Sequence, residues 1–244
     1  MSTLLPYLSS FFHLPGVTPE EVVRRLREMG DGTRLPGMAR YGIATDDALG
    51  VSLPRLRGLA KEVGRDHSLA LALWDTGIHD ARILASMVDE PDKVSEGQME
   101  SWVSDLRSWD LCDQCCNNLF RLTPHAWCKV REWCSRDEEF VRRAGFVLLA
   151  TLAVHDRSSP DQRFAETMRL ALKHGRDGRN YVKKAVSWAL RQIGKRSLAL
   201  NAEAIAVALE LEAGDDPASR WIAADVLREL RGEQVRKRLM NRER

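Results

Sequence analysis

The sequence lacks three features that would each have narrowed its class. No apolar run is long enough to span a bilayer, so we expect no membrane-spanning helix. No charge of one sign dominates, because the net charge at pH 7 is only +2, and any affinity for a polyanion must come from a local concentration of Lys and Arg. No stretch shows sustained alternation of apolar and polar residues, which argues against β-strands. The composition, 44% hydrophobic and 30% charged, is typical of a soluble globular protein.

The first residues are apolar but have no basic residues ahead of them. Their large apolar side chains are Leu4, Leu5, Phe11, Phe12 and Leu14. A signal peptide begins with a positively charged segment, so the pattern favours a short docking helix over residues 1–17 in a cytoplasmic protein without a membrane partner. We expect one domain over residues 1–234 and a basic tail over residues 235–244.

Cysteine is absent outside one short segment. The five cysteines are Cys112, Cys115, Cys116, Cys128 and Cys134. An odd number in a large chain, with three cysteines along one predicted helix, argues against a disulfide framework. Zinc is the alternative, since Cys112 and Cys115 form a Cys-x-x-Cys pair, but no second pair at the usual spacing completes a four-ligand set. We therefore assign the thiols to packing in a helical core and expect neither a metal ion nor another cofactor.

The regular features of the chain are helical. Thr18, Ser95 and Ser108 are favoured N-cap residues, and each precedes a segment with apolar residues at helical spacing. Glycine and proline separate these segments and predict loops, including one at residues 35–37. The sequence therefore predicts an all-α protein.

Two of the predicted helices share a register. Val141 and Val182 are each followed by two basic residues and an alanine, with an offset of 41 residues between Ala144 and Ala185. Helix pairs that repeat at about 40–47 residues are typical of HEAT or armadillo arrays, which stack into a solenoid with a concave face. In that arrangement one basic groove would hold Arg143, Lys184, Trp188 and Arg220.

The predicted helix over the 180s also has a cationic and aromatic face. At i, i+4, i+7 and i+11 it carries Lys184, Trp188, Arg191 and Lys195. The opposite face is apolar and suits a core. Cations alternating with an aromatic side chain favour a polyanion such as a nucleic acid, and we expect these basic residues, with Arg143 and Arg220, to bind it.

Trp109 and Asp113 lie four residues apart on another predicted helix, which places a carboxylate beside an aromatic plane. A carboxylate near an anomeric carbon stabilises the oxocarbenium-like transition state of glycosidic bond cleavage. An aromatic face attracts a nearby cation by ~0.5–2 kcal/mol. The alternative is structural, an acid favoured by the helix dipole next to a core aromatic.

These motifs together resemble the AlkD-like DNA alkylation repair family of HEAT-repeat DNA glycosylases. The resemblance rests on the segments 108–113, 141–144 and 182–191 and runs from about residue 20 to residue 230. It implies hydrolysis of the N-glycosidic bond of cationic alkylated purines, 3-methyladenine and 7-methylguanine, in duplex DNA during base excision repair. It further implies that the base is not flipped into a pocket, and we expect a monomer.

The resemblance also implies roles for individual residues. Asp113 is the catalytic carboxylate, Trp109 and Trp188 pack on the deoxyribose of the lesion, and Arg143 holds the DNA backbone beside it. Five other tryptophans are expected to fill the core or the junctions between repeats, namely Trp74, Trp102, Trp127, Trp133 and Trp221. The alternative function is a non-catalytic HEAT-repeat scaffold that binds DNA or a protein.

Overall fold

The computed structural model describes residues 16–242. Over this part the chain forms fifteen α-helices, joined by short loops and 3-10 turns, and no β-strand. The all-α prediction is therefore confirmed. None of the helices in the described part is long and apolar enough to cross a membrane. The predicted docking helix over residues 1–17 falls almost wholly on residues 1–15, which lie outside the described residues.

One compact unit ends at Glu90. Its helices are α1 (Pro19–Met29), α2 (Leu35–Arg40), α3 (Leu53–Val63), α4 (His67–Asp75) and α5 (His79–Val88). Asp80 of α5 is buried and accepts hydrogen bonds from the backbone N–H groups of Leu49 and Val51 at 2.6 and 2.7 Å, which fixes the loop before α3. The loop predicted at residues 35–37 is wrong, because Pro36 lies in the first turn of α2, where its missing N–H costs nothing.

The second compact unit begins at Pro91. Its helices are α6 (Glu96–Ser104), α7 (Trp109–Asn118), α8 (Ala126–Cys134), α9 (Glu139–His155), α10 (Asp161–Met168), α11 (Leu170–His174), α12 (Asn180–Ile193), α13 (Leu198–Glu212), α14 (Pro217–Leu230) and α15 (Glu233–Arg242). Most of the predicted basic tail lies in α15, and one domain over residues 1–234 stays a prediction.

In this second unit α7, α9, α12 and α14 follow one another as packed neighbours. α8 packs against α9, while α13 packs against α14 and α10. Helix α9 is buried along most of its length, as its nearly continuous apolar sequence requires. The offset of 41 residues therefore relates two adjacent helices, α9 and α12, and confirms the prediction of a HEAT-like helical repeat.

The cysteine cluster belongs to this packing. Cys112, Cys115, Cys116 and Cys134 are buried as predicted, whereas Cys128 is exposed and the prediction is wrong for it. The thiol of Cys116 on α7 donates to the carbonyl oxygen of Ala144 on α9 at 3.6 Å. Burial raises the pKa of the Cys116 thiol well above its ordinary value, so it stays protonated at neutral pH. Across residues 16–242, no group of three or more His, Cys, Asp or Glu residues could hold a metal ion.

Gly145 allows α9 to approach α8 closely. A Cβ at Gly145 would lie 2.5 Å from the backbone nitrogen of Cys134 and 2.9 Å from the carbonyl carbon of Trp133. Backbone atoms inside two packed helices cannot move aside, so we expect Gly145→Ala to lower the free energy of unfolding by about 1–3 kcal/mol. Urea unfolding measures this change.

The matched control is Gly97→Ala in the first turn of α6. A Cβ there would have its nearest neighbour at 3.8 Å, an ordinary contact. We expect no loss of stability, since alanine is the better helix former. Equal stability of the Gly145→Ala variant and the parent would contradict the close approach of α8 and α9.

Candidate functional site

The site begins at the N-terminus of α7. Ser108 occupies the N-cap position as predicted, but its hydroxyl donates to the carboxylate of Asp110 and not to the helix backbone. Trp109 is half-buried and lies one helical turn before Asp113, so both side chains project from the same face of α7. The start of α7 therefore carries two acids, of which Asp113 shares its face with the indole.

Arg143 of α9 is the partner of Asp113. One of its nitrogens, Nη2, donates to Oδ1 of Asp113 at 2.8 Å, and the other, Nη1, donates to the carbonyl oxygen of Tyr181 at 2.8 Å. The Arg143 side chain is only 6% exposed and that of Asp113 is 21% exposed. Because Tyr181 lies on α12, this one guanidinium joins α7, α9 and α12. Its predicted contact with the DNA backbone stays a prediction.

The environment of Asp113 leaves its charge only partly compensated. Burial raises the pKa of Asp113 to about 6, although the charge and hydrogen bond of Arg143 act in the opposite direction, and the charge of Asp110 adds to the increase. A carboxylate in this state gains free energy from any cation that forms beside it.

Helix α12 presents a second set of groups. Tyr181, Lys184 and Trp188 follow i, i+3, i+7 spacing and share one face. Lys184 is exposed, Trp188 is half-buried, and the ring of Tyr181 stacks on that of Phe140 with centroids 5.5 Å apart. With the amide of Gln192 oriented so that its oxygen faces the nearby donors, Nε1 of Trp188 donates to it at 2.8 Å. That hydrogen bond fixes the orientation of the indole.

The remainder of the predicted cationic face is ion-paired. Arg191 contacts Glu229 at 2.5 Å and Asp225 at 3.3 Å, both on α14. Lys195 lies beyond the end of α12, and its Nζ is 2.6 Å from Oε1 of Glu229. The prediction of a continuous cationic face is therefore corrected, because α14 neutralises the part that is formed by Arg191 and Lys195. Their binding to DNA stays a prediction.

Arg220 is exposed in the first turn of α14. In the part of the chain that the structure describes, neither Lys184 nor Arg220 forms an ion pair, so both charges are available to an anion. The next residue, Trp221, is 39% exposed, and Nζ of Lys183 lies 5.1 Å from its ring centroid. Trp221 therefore lies outside the core, and its alternative place at a junction between repeats stays a prediction, whereas Trp74, Trp102 and Trp133 are buried as expected.

Sequence reasoning missed Tyr181 and Gln192. Both lie on the face of Trp188, Tyr181 two turns before it and Gln192 one turn after it, and the helical spacing could have found them. The spacing shows only that Tyr181 shares this face, and no side-chain pattern reveals that its backbone carbonyl accepts from Arg143.

The family model of the DNA alkylation repair enzymes matches residues 22–234. The chain belongs to this family. The match confirms the resemblance that the motifs around Trp109, Arg143 and Trp188 carry, and it leaves the roles of individual residues as predictions.

One solved structure agrees with this membership at the level of the fold. The chain is similar to a protein described as one of "a new family of proteins related to the HEAT-like repeat DNA glycosylases with affinity for branched DNA structures". The similarity has a TM-score of 0.74 at 19% identity and covers 91% of this chain and 96% of that chain. Two engineered proteins match at TM-scores of 0.38 and 0.37. A comparison with curated proteins found no significant match.

Proposed function

We propose that this DNA alkylation repair family member is a DNA glycosylase. Its reaction is hydrolysis of the N-glycosidic bond of cationic alkylated purines, such as 3-methyladenine and 7-methylguanine, in duplex DNA during base excision repair. The observation that carries the proposal is the state of Asp113, a partly exposed carboxylate that one buried arginine holds and that burial leaves with a raised pKa.

The chemistry requires little beyond these groups. An alkylated purine already carries a positive charge and leaves without strong acid catalysis, so the difficult species is the sugar cation that remains. The Asp113 carboxylate would stabilise that cation and orient the attacking water. The indole of Trp109, one turn away on α7, would add an aromatic face to the same cation. Trp188, held by Gln192, would pack on the sugar from α12.

The same groups favour a reaction in which the base stays outside a pocket. A carboxylate, a guanidinium and indole faces suit a cation and a sugar, whereas a flipped base is read by hydrogen bonds to its pairing edge. Selectivity would then come from the lability of the lesion and the deformability of the duplex around it. In our proposal the protein acts as a cytoplasmic monomer without a metal ion.

The test is release of the free base. Purified protein is incubated with duplex DNA that carries one 7-methylguanine or 3-methyladenine, and the released base is quantified against an unmodified duplex. We expect release that depends on the lesion and on protein concentration. A chain that binds the duplex and frees no base would overturn the glycosylase proposal.

A second candidate function is non-catalytic binding of DNA. It is favoured by the affinity for branched DNA in the description of the protein with the similar fold. The two functions separate in one experiment, since a binding protein should prefer branched over linear DNA without a lesion and should release no base from either.

The two basic residues without an ion pair in the described part of the chain, Lys184 on α12 and Arg220 on α14, give a prediction about DNA affinity. We expect Lys184→Gln and Arg220→Gln each to weaken binding and to lower the slope of log K against log salt by about 1, as the loss of one phosphate contact does. Fluorescence anisotropy at several salt concentrations measures the slope. The control Lys173→Gln removes an exposed basic side chain from α11 and should leave the slope unchanged. An equal effect in all three variants would rule out a specific contact of Lys184 or Arg220 with a phosphate.

A further inference from the structure

A cleft of about 510 Å³ opens beside the end of α12 and is separate from the Asp113 ion pair. The end of α9, the start of α10, the residues after α12 and part of α15 form its walls. Four basic side chains and a single carboxylate, Asp161, line it. The basic residues are Arg157, Lys195, Arg196 and Arg238. Because Lys195 is paired with Glu229, the excess of positive charge comes from three arginines against one carboxylate, and it creates a local positive potential in a chain with almost no net charge.

One wall of the cleft is rigid. Nη1 of Arg196 donates to the carbonyl oxygens of Ala153 and Asp156 at 2.9 and 2.7 Å, which satisfies groups at the end of α9. Its guanidinium carbon lies 3.9 Å from the ring centroid of Phe164. The side chain is 14% exposed and its nearest carboxylate oxygen, on Asp161, is 3.5 Å away. The structure therefore holds this cationic charge in the cleft mainly through uncharged carbonyl groups, with Asp161 as a more distant ion-pair partner.

The rim of the cleft carries charge without a partner. Arg157 and Arg238 are exposed, and among residues 16–242 neither has an ion pair or a side-chain hydrogen bond. Two guanidinium groups on one cleft repel each other, and an anion between them removes that repulsion. The planar guanidinium binds phosphate oxygens through two parallel hydrogen bonds, which makes phosphate a better fit than a small monovalent ion.

Gln192 connects the cleft to the face of Trp188. Its side chain lines the cleft, and its amide oxygen, in the orientation that satisfies both donors, accepts from Trp188 at 2.8 Å and from Lys195 at 3.2 Å. The residues that line the cleft thus begin one helical turn beyond the indole. A DNA strand whose sugar lies on Trp188 would carry its next phosphates towards the cleft.

We propose that this cleft binds the backbone phosphates of the strand that flanks the lesion, with Arg157 and Arg238 as the phosphate ligands and Arg196 as a fixed charge behind them. This inference rests on the DNA-binding part of the proposed function. It assigns a binding role to residues after α9 and on α15, outside the face of α7, α9, α12 and α14.

The first test removes the two rim charges. The double variant Arg157→Gln with Arg238→Gln should bind lesion-containing duplex on the order of 50-fold more weakly at roughly 0.1 M salt, with the salt slope lowered by about 2. Both residues are exposed, so thermal unfolding should match the parent. The control variant Arg169→Gln with Lys173→Gln removes two exposed basic side chains that do not line the cleft, and it should bind the duplex like the parent.

The second test locates the phosphates. Neutral methylphosphonates replace single phosphates of the lesion strand in turn, and the affinity of each duplex is measured with the parent and with the double variant. We expect one or two adjacent positions that weaken the parent about tenfold and leave the double variant unchanged. Inorganic phosphate, added as a competitor at constant ionic strength, separates a site for DNA from a site for the free anion.

Three outcomes would overturn the proposal that the cleft binds backbone phosphates. These are parental affinity of the double variant, equal loss in the control variant, and no position at which the two changes couple. Both tests measure DNA binding and not catalysis. If the parent binds duplex DNA and releases no base, the glycosylase proposal fails, while these binding tests still decide the proposal for the cleft.

Discussion

Asp113→Asn is expected to slow release of 7-methylguanine from duplex DNA by at least about 100-fold, a typical loss for one preorganised electrostatic group. The substitution keeps the shape of the side chain, and the amide oxygen can still accept from Nη2 of Arg143. It removes the charge that would stabilise the sugar cation. Single-turnover release at saturating protein measures this effect without a contribution from binding.

Asp110→Asn is the matched control. Asp110 is the other acid at the start of α7, it binds the hydroxyl of Ser108, and it does not share the face of Trp109. We expect its loss to change the rate only a few fold, through a smaller field at Asp113. If the two asparagine variants were equally slow, or if Asp113→Asn kept the parental rate, the catalytic role of Asp113 would be untenable.

The raised pKa predicts how the same reaction depends on pH. The ionised carboxylate is the active form, so release should increase as the pH rises through about 6 and level off above it. The unfolded chain loses this proton at lower pH, so between about pH 4 and 6 the folded state holds more protons and this group's contribution to stability falls as the pH rises. At pH 7 the ionised Asp113 therefore lowers the free energy of unfolding.

Arg143→Met should lower the free energy of unfolding by about 3–5 kcal/mol, the usual cost of removing one partner from a buried ion pair. Two effects add, since Asp113 loses its counter-charge and the carbonyl oxygen of Tyr181 loses its donor. Urea unfolding of the parent and the variant measures the loss. In material that remains folded, the pH midpoint of base release should move above 6, because Arg143 is what holds the pKa of Asp113 down.

A double-mutant cycle separates the ion pair from simple loss of packing. In an Asp113→Asn background no buried charge is left alone, so Arg143→Met should cost less there than in the parent. An equal cost in both backgrounds would assign the effect to the contact with Tyr181 and to packing. An unshifted pH midpoint would exclude Arg143 as the residue that positions and tunes Asp113.

The local features of the chain were predictable from the sequence. Thr18 and Ser95 cap α1 and α6 with hydrogen bonds to backbone N–H groups three residues on, as their residue types indicate. The shared register of Ala144 and Ala185 predicted two neighbouring helices, and α9 and α12 are packed against each other. The cap inferences succeed because a helix cap acts within a few residues of the chain, whereas the shared register succeeds because repeats of similar length stack as neighbours.

Part of the site was also predictable, because Trp109 and Asp113 need only one helix to share a face. Other features depend on residues far apart in the chain. Arg191 and Lys195 belong by spacing to a cationic face, but Glu229, 38 and 34 residues away, neutralises both of them, and Asp225 also pairs with Arg191. Arg143 becomes a buried ligand of Asp113 and Tyr181 because three helices meet around it.

The sequence by itself determined the all-α class, most of the helices and the pairing of an aromatic with an acid on α7. The tertiary structure alone decided which charges remain free. Within residues 16–242 the charges of Lys184 and Arg220 have no ion-pair partner, whereas that of Arg191 is paired with Glu229, although the same spacing placed Lys184 and Arg191 on one face. The physical reason is that periodicity specifies the face of a helix, while the partner across that face comes from another helix and is set by packing.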